Sequence, residues 1–193
     1  GDVDFIWGTG AVFLQNSELK MLTSGGFYTQ IRNVQGKNGN VFVNCRLTGA
    51  AGVTGGFLSR IDPNVFPFSQ VVYINSAMGP VIPAGWLLNN ATTAPDVQFC
   101  EYNSTDLNGV PLDVSQRAPF SCQLTADEAA QLSDPSFVLG GWVPSTKLTA
   151  AVTLSNLSQT FTGLPISPTV VTDPVGLNVT VTYNGSTVTP TAL

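Results

Sequence analysis

The 193-residue chain is 43% hydrophobic and only 10% charged, with 19 Gly, 13 Pro and a net charge of -5, a composition that suits many short strands and turns, hence an all-β protein. Seven Lys plus Arg without a basic cluster give little with which to neutralise phosphates, which excludes nucleic acid as a partner, and no apolar run approaches the ~20 residues of a membrane-spanning helix. Histidine is absent, so Ser-His-Asp and Cys-His catalysis and Cys/His zinc sites are excluded, and acid-base work falls to carboxylates, Lys, Tyr or Cys.

The chain opens with Gly1-Asp2-Val3-Asp4-Phe5-Ile6-Trp7-Gly8, which places Asp4 inside an apolar run that reads as a strand. A carboxylate is disfavoured there unless it is solvated, paired or functional. On a period-2 strand, Asp4 shares a face with Ile6, while Val3, Phe5 and Trp7 take the other.

Three segments then repeat apolar residues followed by Asn: Val12 to Leu19 with Asn16, Val41 to Leu47 with Asn44, and Val71 to Met78 with Asn75. A weaker copy at Val97 to Asn103 ends on Asn103. A spacing of about 30 residues between the Asn positions suggests a solenoid. A second set of strands, Phe27-Tyr28-Thr29-Gln30 and Phe57-Leu58-Ser59-Arg60, lies between the copies, each preceded by Gly-Gly. Two or three strands per coil fit a parallel β-helix, with the Asn residues forming an amide ladder at a bend. The three cysteines, Cys45, Cys100 and Cys122, form no CxxC and are read as buried thiols.

Residues 106 to 144 are turn-rich, with one helix expected over Thr125 to Leu132, capped by Thr125 and closed by Glu128 in a capping box; this tail is expected to fold over the end of the solenoid. Residues 145–155 read as a polar linker. Residues 156–193 shift to Thr/Val alternation with a hairpin signal at Tyr183-Asn184-Gly185, a separate partial module. The uncapped apolar start and the abrupt finish both read as cut ends.

Three motifs, in order and spacing, resemble those of the pectin methylesterases: Gly1 to Gly8 is similar to the signature Gly-x-Val-Asp-Phe-Ile-Phe-Gly, Leu58-Ser59-Arg60 to Leu-Gly-Arg-Pro-Trp, and Ile82-Pro83-Ala84-Gly85-Trp86 to Ile-x-Pro-x-Gly-Trp. Glu101-Tyr102-Asn103-Ser104-Thr105 completes the set. The resemblance covers residues 1–144. It implies a right-handed parallel β-helix acting on methylated pectin (homogalacturonan), without metal or cofactor, as a monomer. Asp4 would be the nucleophile that attacks the C6 methyl ester, and Arg60 would orient it and keep it ionised. Trp7 and Trp86, with Phe66 and Phe68 standing in for the family's missing Trp, would bind the sugar rings.

The family's general acid, an Asp some twenty residues before the nucleophile, and its oxyanion Gln residues have no counterpart in these residues, so the chain alone is expected to be inactive while its parent is an esterase. Asp62, two residues from Arg60, reads as a solvated turn residue or a second carboxylate. Residues 177–186 resemble the start of a bacterial Ig-like repeat, which implies a secreted or cell-surface bacterial protein. The competing reading is a non-catalytic polysaccharide-binding or adhesin β-helix in which Asp4 and Arg60 form a structural ion pair. A polysaccharide lyase is disfavoured because the acidic residues are too scattered to form a calcium cluster.

Overall fold

The structure, a computed structural model, describes residues 3–143, 150–158, 160 and 162–191. Gly1 and Asp2 of the opening signature, residues 145–149 of the expected linker and the last two residues fall outside that set. Contacts divide the chain into two units, Gly1–Pro144 and Ser145–Leu193.

The first unit is a parallel β-helix of about three turns. The first coil runs through β1 (Ile6–Gly8), β2 (Val12–Gln15) and β3 (Glu18–Met21), and the second through β4 (Phe27–Ile31), β5 (Asn40–Val43) and β6 (Arg46–Gly49). The third comprises β7 (Phe57–Ile61), β8 (Gln70–Ile74) and β9 (Ala77–Met78), followed by β10 (Trp86–Leu88), β11 (Gln98–Tyr102) and β12 (Cys122–Gln123). Like strands stack into three parallel sheets, ordered β1-β4-β7-β10, β2-β5-β8-β11-β12 and β3-β6-β9. The two expected strand families are thus β2, β5, β8 and β11 on one side and β4 and β7 on the other.

The Asn repeat is the turn between the second and third sheets. Asn16, Asn44, Asn75 and Asn103 have φ between 49° and 53°, the left-handed region in which Asn is tolerated far better than other side-chain-bearing residues. Each coil locks to the next at this point, with the Asn16 N–H donating to Val43 O, Asn44 N–H to Ile74 O and Asn75 N–H to Tyr102 O. The amide ladder includes a bond from Asn103 Nδ2 to Asn75 Oδ1 at 3.0 Å.

With the turns aligned, inward side chains superpose from coil to coil. Leu14, Phe42 and Tyr73 stand in register, and the rings of Phe42 and Tyr73 stack at 4.6 Å and 11°, close to the ~4.8 Å between neighbouring strands. Trp86 continues the column, 4.9 Å from Phe99. The next inward position after Tyr73 is Glu101, fully buried. Its carboxylate accepts from Arg117 Nε (2.7 Å) and Nη2 (3.2 Å), Ser104 Oγ (2.9 Å) and Trp86 Nε1 (3.2 Å). A buried charge needs this full set of partners. Arg117 also donates to the Ile82 and Pro83 carbonyls, so one ion pair ties residues 111–120 to the last coils.

Two expectations are corrected here. The helix α1 (Ala126–Leu132) has the expected capping box, Thr125 with Glu128, but with α2 (Pro135–Val138) it lies on a side of the solenoid and not over its end. Ala129, Leu132 and Val138 pack against Val41, Val43, Val72, Ile74 and Cys100, the outward side chains of the second sheet. That is why β5 and β8 are buried on both faces, as parallel strands covered by helices are. Cys100 and Cys122 are not free thiols; they are opposite each other in the β11–β12 register and form a disulfide. Cys45 alone matches the buried-thiol reading, its pKa raised by burial.

In the second unit, β13 (Ala151–Ser155) pairs antiparallel with β14 (Thr169–Asp173), so residues 151–155, read as linker, are strand. The hairpin signal appears as a single antiparallel bridge between Tyr183 and Ser186, with Asn184 and Gly185 at positive φ.

Two outcomes are expected in denaturant unfolding of the chain. Asn75→Ala destabilises by about 1–2 kcal/mol because Ala must enter the left-handed region, whereas Asn75→Gly is nearly neutral. Arg117→Met, which strands the Glu101 charge, costs about 3–5 kcal/mol, and Glu101→Leu combined with Arg117→Met recovers most of that loss.

Candidate active site

The outward face of the first sheet carries the site. Strand register superposes Trp7 on Gln30 and Arg60 on Leu87, while pairing of Thr29 with Ser59 puts Gln30 beside Arg60. The outward row is therefore Trp7, Gln30, Arg60 and Leu87. Two residues further along the strands come Arg32, Asp62 and Asn89. The residues of these two rows other than Leu87, with Val3, Asp4, Phe66 and Asn90, line a groove of about 570 Å³.

Asp4 lies in this groove because it is not a strand residue. Its φ is 46°, and β1 begins only at Ile6. Among the described residues, eight non-glycine residues have positive φ; seven are Asn and the eighth is Asp4. The left-handed residue breaks the period-2 alternation, so Ile6 packs against the core while the Asp4 carboxylate turns outward to Arg60. This corrects the expectation that the two share a strand face. Arg60 Nη2 donates to Asp4 Oδ2 at 2.6 Å, and Nε lies 3.2 and 3.1 Å from Oδ1 and Oδ2. The two side chains are 12% and 29% exposed for Asp4 and Arg60, so the carboxylate is held by a fork yet remains reachable. The Arg60 guanidinium is itself seated 4.6 Å over the Phe27 ring, which fixes the direction from which it grips Asp4.

Trp7 is 58% exposed, with Nε1 donating to Gln30 Oε1 at 2.7 Å. The same oxygen accepts from Arg32 Nη2 at 3.2 Å, and the Arg32 guanidinium lies 4.7 Å from the Trp7 ring centre and 4.6 Å from that of Phe66. Phe66 is therefore in the groove wall. Trp86 is not: it is 2% exposed and belongs to the core column, because the register with Ser59 points it inward. Phe68 lies outside the groove, lining a separate depression with Gln35, Lys37 and Pro95.

Asp62 faces the groove, but as a turn carboxylate. Asn90 Nδ2 donates to its Oδ2 at 2.8 Å and the Asn64 N–H to its Oδ1 at 3.1 Å. These bonds, that of Asn90 foremost, hold its carboxyl below the usual range, so it stays charged near neutral pH and is unsuited to give up a proton. Gln30, Arg32, Asn89 and Asn90 escaped the sequence reading. The one available signal was that Gln30 and Arg32 alternate with the inward Thr29 and Ile31 at the end of an expected strand.

Fold and site together define a parallel β-helix with an aspartate–arginine centre in an aromatic groove. The chain is 35% identical over 136 residues to Pectinesterase 2 of Olea europaea and to a pectinesterase of Parthenium hysterophorus, in each case over 68% of this chain and 35% of the relative. Among solved structures, pectin methylesterase from carrot matches with a TM-score of 0.61 at 22% identity, covering 73% of this chain and 47% of that one. A pectin methylesterase in complex with a hexasaccharide matches at 0.57 and 22%, covering 76% and 50%. The β-helical unit belongs to the pectinesterase family. The chain spans about a third of the length of these curated relatives. Residues 150–193 match the MBG domain model, in line with the module expected there.

The two tryptophans should separate cleanly. Trp86→Ala is expected to cost about 3–5 kcal/mol in denaturant unfolding, whereas Trp7→Ala, on the surface, costs about 1 kcal/mol or less.

Proposed function

We propose that the β-helix carries the nucleophilic half of a pectin-demethylating site, with Asp4 as nucleophile and Arg60 as its positioning partner. The observation that carries this reading is the Asp4–Arg60 fork, partly exposed in a groove of about 570 Å³, in a β-helix of the pectinesterase family. An Asp4 oxygen attacks the C6 carbonyl carbon of a methylated galacturonate, and the tetrahedral intermediate expels methoxide, which leaves as methanol once protonated. Water then opens the resulting acyl anhydride, returning the Asp4 carboxylate and a free galacturonate.

The arrangement also explains what Arg60 does at each stage. Its fork aims one carboxylate oxygen and disperses charge as the anhydride forms and reopens. Trp7 and Phe66 offer flat apolar surface to the sugar rings, with Arg32 against both. The proton for methanol does not come from Asp62, which is held ionised; we propose that it comes from residues outside these 193, and that the whole protein is an aspartyl esterase. Methylated pectin lies outside cells, and a Cys100–Cys122 disulfide suits an oxidising compartment, so the protein is read as exported; the resemblance of residues 177–186 to bacterial Ig-like repeats supports a bacterial source.

The test is methanol release from highly methylated pectin by the whole protein. Asp4→Asn should lower kcat on the order of 10³-fold or more while the chain stays folded and oligosaccharide binding persists. Release at the wild-type rate by Asp4→Asn would overturn the assignment. The 193 residues alone should bind oligogalacturonides without releasing methanol.

A further inference from the structure

Among the described residues Arg32 has no ion-pair partner, in a groove where the other arginine has one. Among the described residues the ion pairs are Arg60 with Asp4 and Arg117 with Glu101. The nearest carboxylate by register, Asp62, is engaged by Asn90 and Asn64. Arg32 instead spends one Nη2 bond on the neutral amide of Gln30, and its guanidinium carbon lies 4.7 Å from the Trp7 ring centre and 4.6 Å from that of Phe66. Its Nε–H is buried without an acceptor. The guanidinium charge is thus left without a carboxylate in a groove lined by polar side chains.

The two ring contacts have a further effect. An arginine held against two rings has less rotamer freedom to lose when a ligand arrives, so its Nη edge meets a planar anion with little further ordering. Carboxylate is the planar anion whose geometry that edge fits. The strand rows place Arg32 one coil from Arg60 and two residues along the strand, a Cα offset of roughly 8 Å from the strand spacing and rise, so the anion it meets belongs to a unit beside the reacting one and not to the reacting ester itself.

We propose that Arg32 binds the free carboxylate of a galacturonate unit adjoining the ester that Asp4 attacks, and so sets the preference of the groove for partly de-esterified pectin. This rests on the demethylation reading above. It follows that the product of one turnover improves the fit of its neighbour.

Binding to the 193-residue chain tests this without any turnover. Calorimetric titration compares unmethylated hexagalacturonate with the fully methylated hexamer for the wild type, Arg32→Gln, Arg32→Lys and, as a charge-loss control on another face, Arg46→Gln. Arg32→Gln is expected to lower the ratio of affinities, unmethylated over methylated, at least tenfold, Arg32→Lys to recover part of it, and Arg46→Gln to leave it unchanged. The wild-type ratio should also fall as salt rises. Equal loss for both hexamers in Arg32→Gln would show that Arg32 only props the aromatic walls, and an unchanged ratio would show that the carboxylate binds elsewhere; either result overturns the proposal. Failure of the nucleophile assignment would register separately, as methanol release by Asp4→Asn in the whole protein with the Arg32 ratio intact.

Discussion

Each coil turns from its second to its third strand through one residue in the left-handed conformation, and the site depends on that constraint. The corner is only two residues long, Asn16-Ser17, Asn44-Cys45 and Asn75-Ser76, which leaves little slack in the chain, so the Asn positions superpose and with them the register of the strands that lead into and out of the corner. A slip of one residue at any coil would exchange inward and outward faces, sending Phe42 or Tyr73 to solvent and breaking the outward row in which Gln30 and Arg60 lie side by side. The groove is thus a by-product of core stacking: what aligns the aromatic column inside also aligns the polar row outside.

At Asp4 the same backbone device serves another purpose. Left-handed Asn residues are spread along the turns, where the side chain can bond its neighbours. Left-handed Asp4 precedes a strand and faces a guanidinium, a placement with a strain of order 1–3 kcal/mol that the bidentate contact with Arg60 offsets. Arg60 is in turn fixed from beneath by Phe27. Ring contact and ion pair form a chain of support from the core to the carboxylate.

The solenoid was legible because its signal is periodic: apolar strands with Asn at intervals near 30 residues allow few other folds. The Asp4–Arg60 pair was legible through motifs, since residues 56 apart on two coils have no local pattern to join them. What failed did so for lack of register. Nothing in the spacing of Cys100 and Cys122 says that β12 follows β11 in the sheet, so their pairing was invisible. Trp86 was placed in the groove because Gly-Trp opens a strand, and only the pairing with Ser59 reveals that the strand presents it inward. The period-2 rule misjudged Asp4 because alternation assumes extended backbone, which a positive φ interrupts. Arg32 stood at a strand end with no motif to mark it, and its meaning comes from two rings, Trp7 and Phe66, close to it in space and remote from it in the chain.

The outward rows take one or two side chains from each coil, at intervals set by backbone hydrogen bonding and not by side-chain packing. Such a surface can diverge one position at a time: a substitution at Gln30, Arg60 or Leu87 alters one rung while its neighbours keep their places, and insertions in the loops between strands leave the spacing untouched. The departure at Ile61 to Phe68, where the loop after Arg60 differs from the family pattern while Arg60 still reaches Asp4, is an instance of that freedom. A lineage meeting a polymer with a different decoration pattern could retune its groove rung by rung without ever passing through an unfolded intermediate sequence.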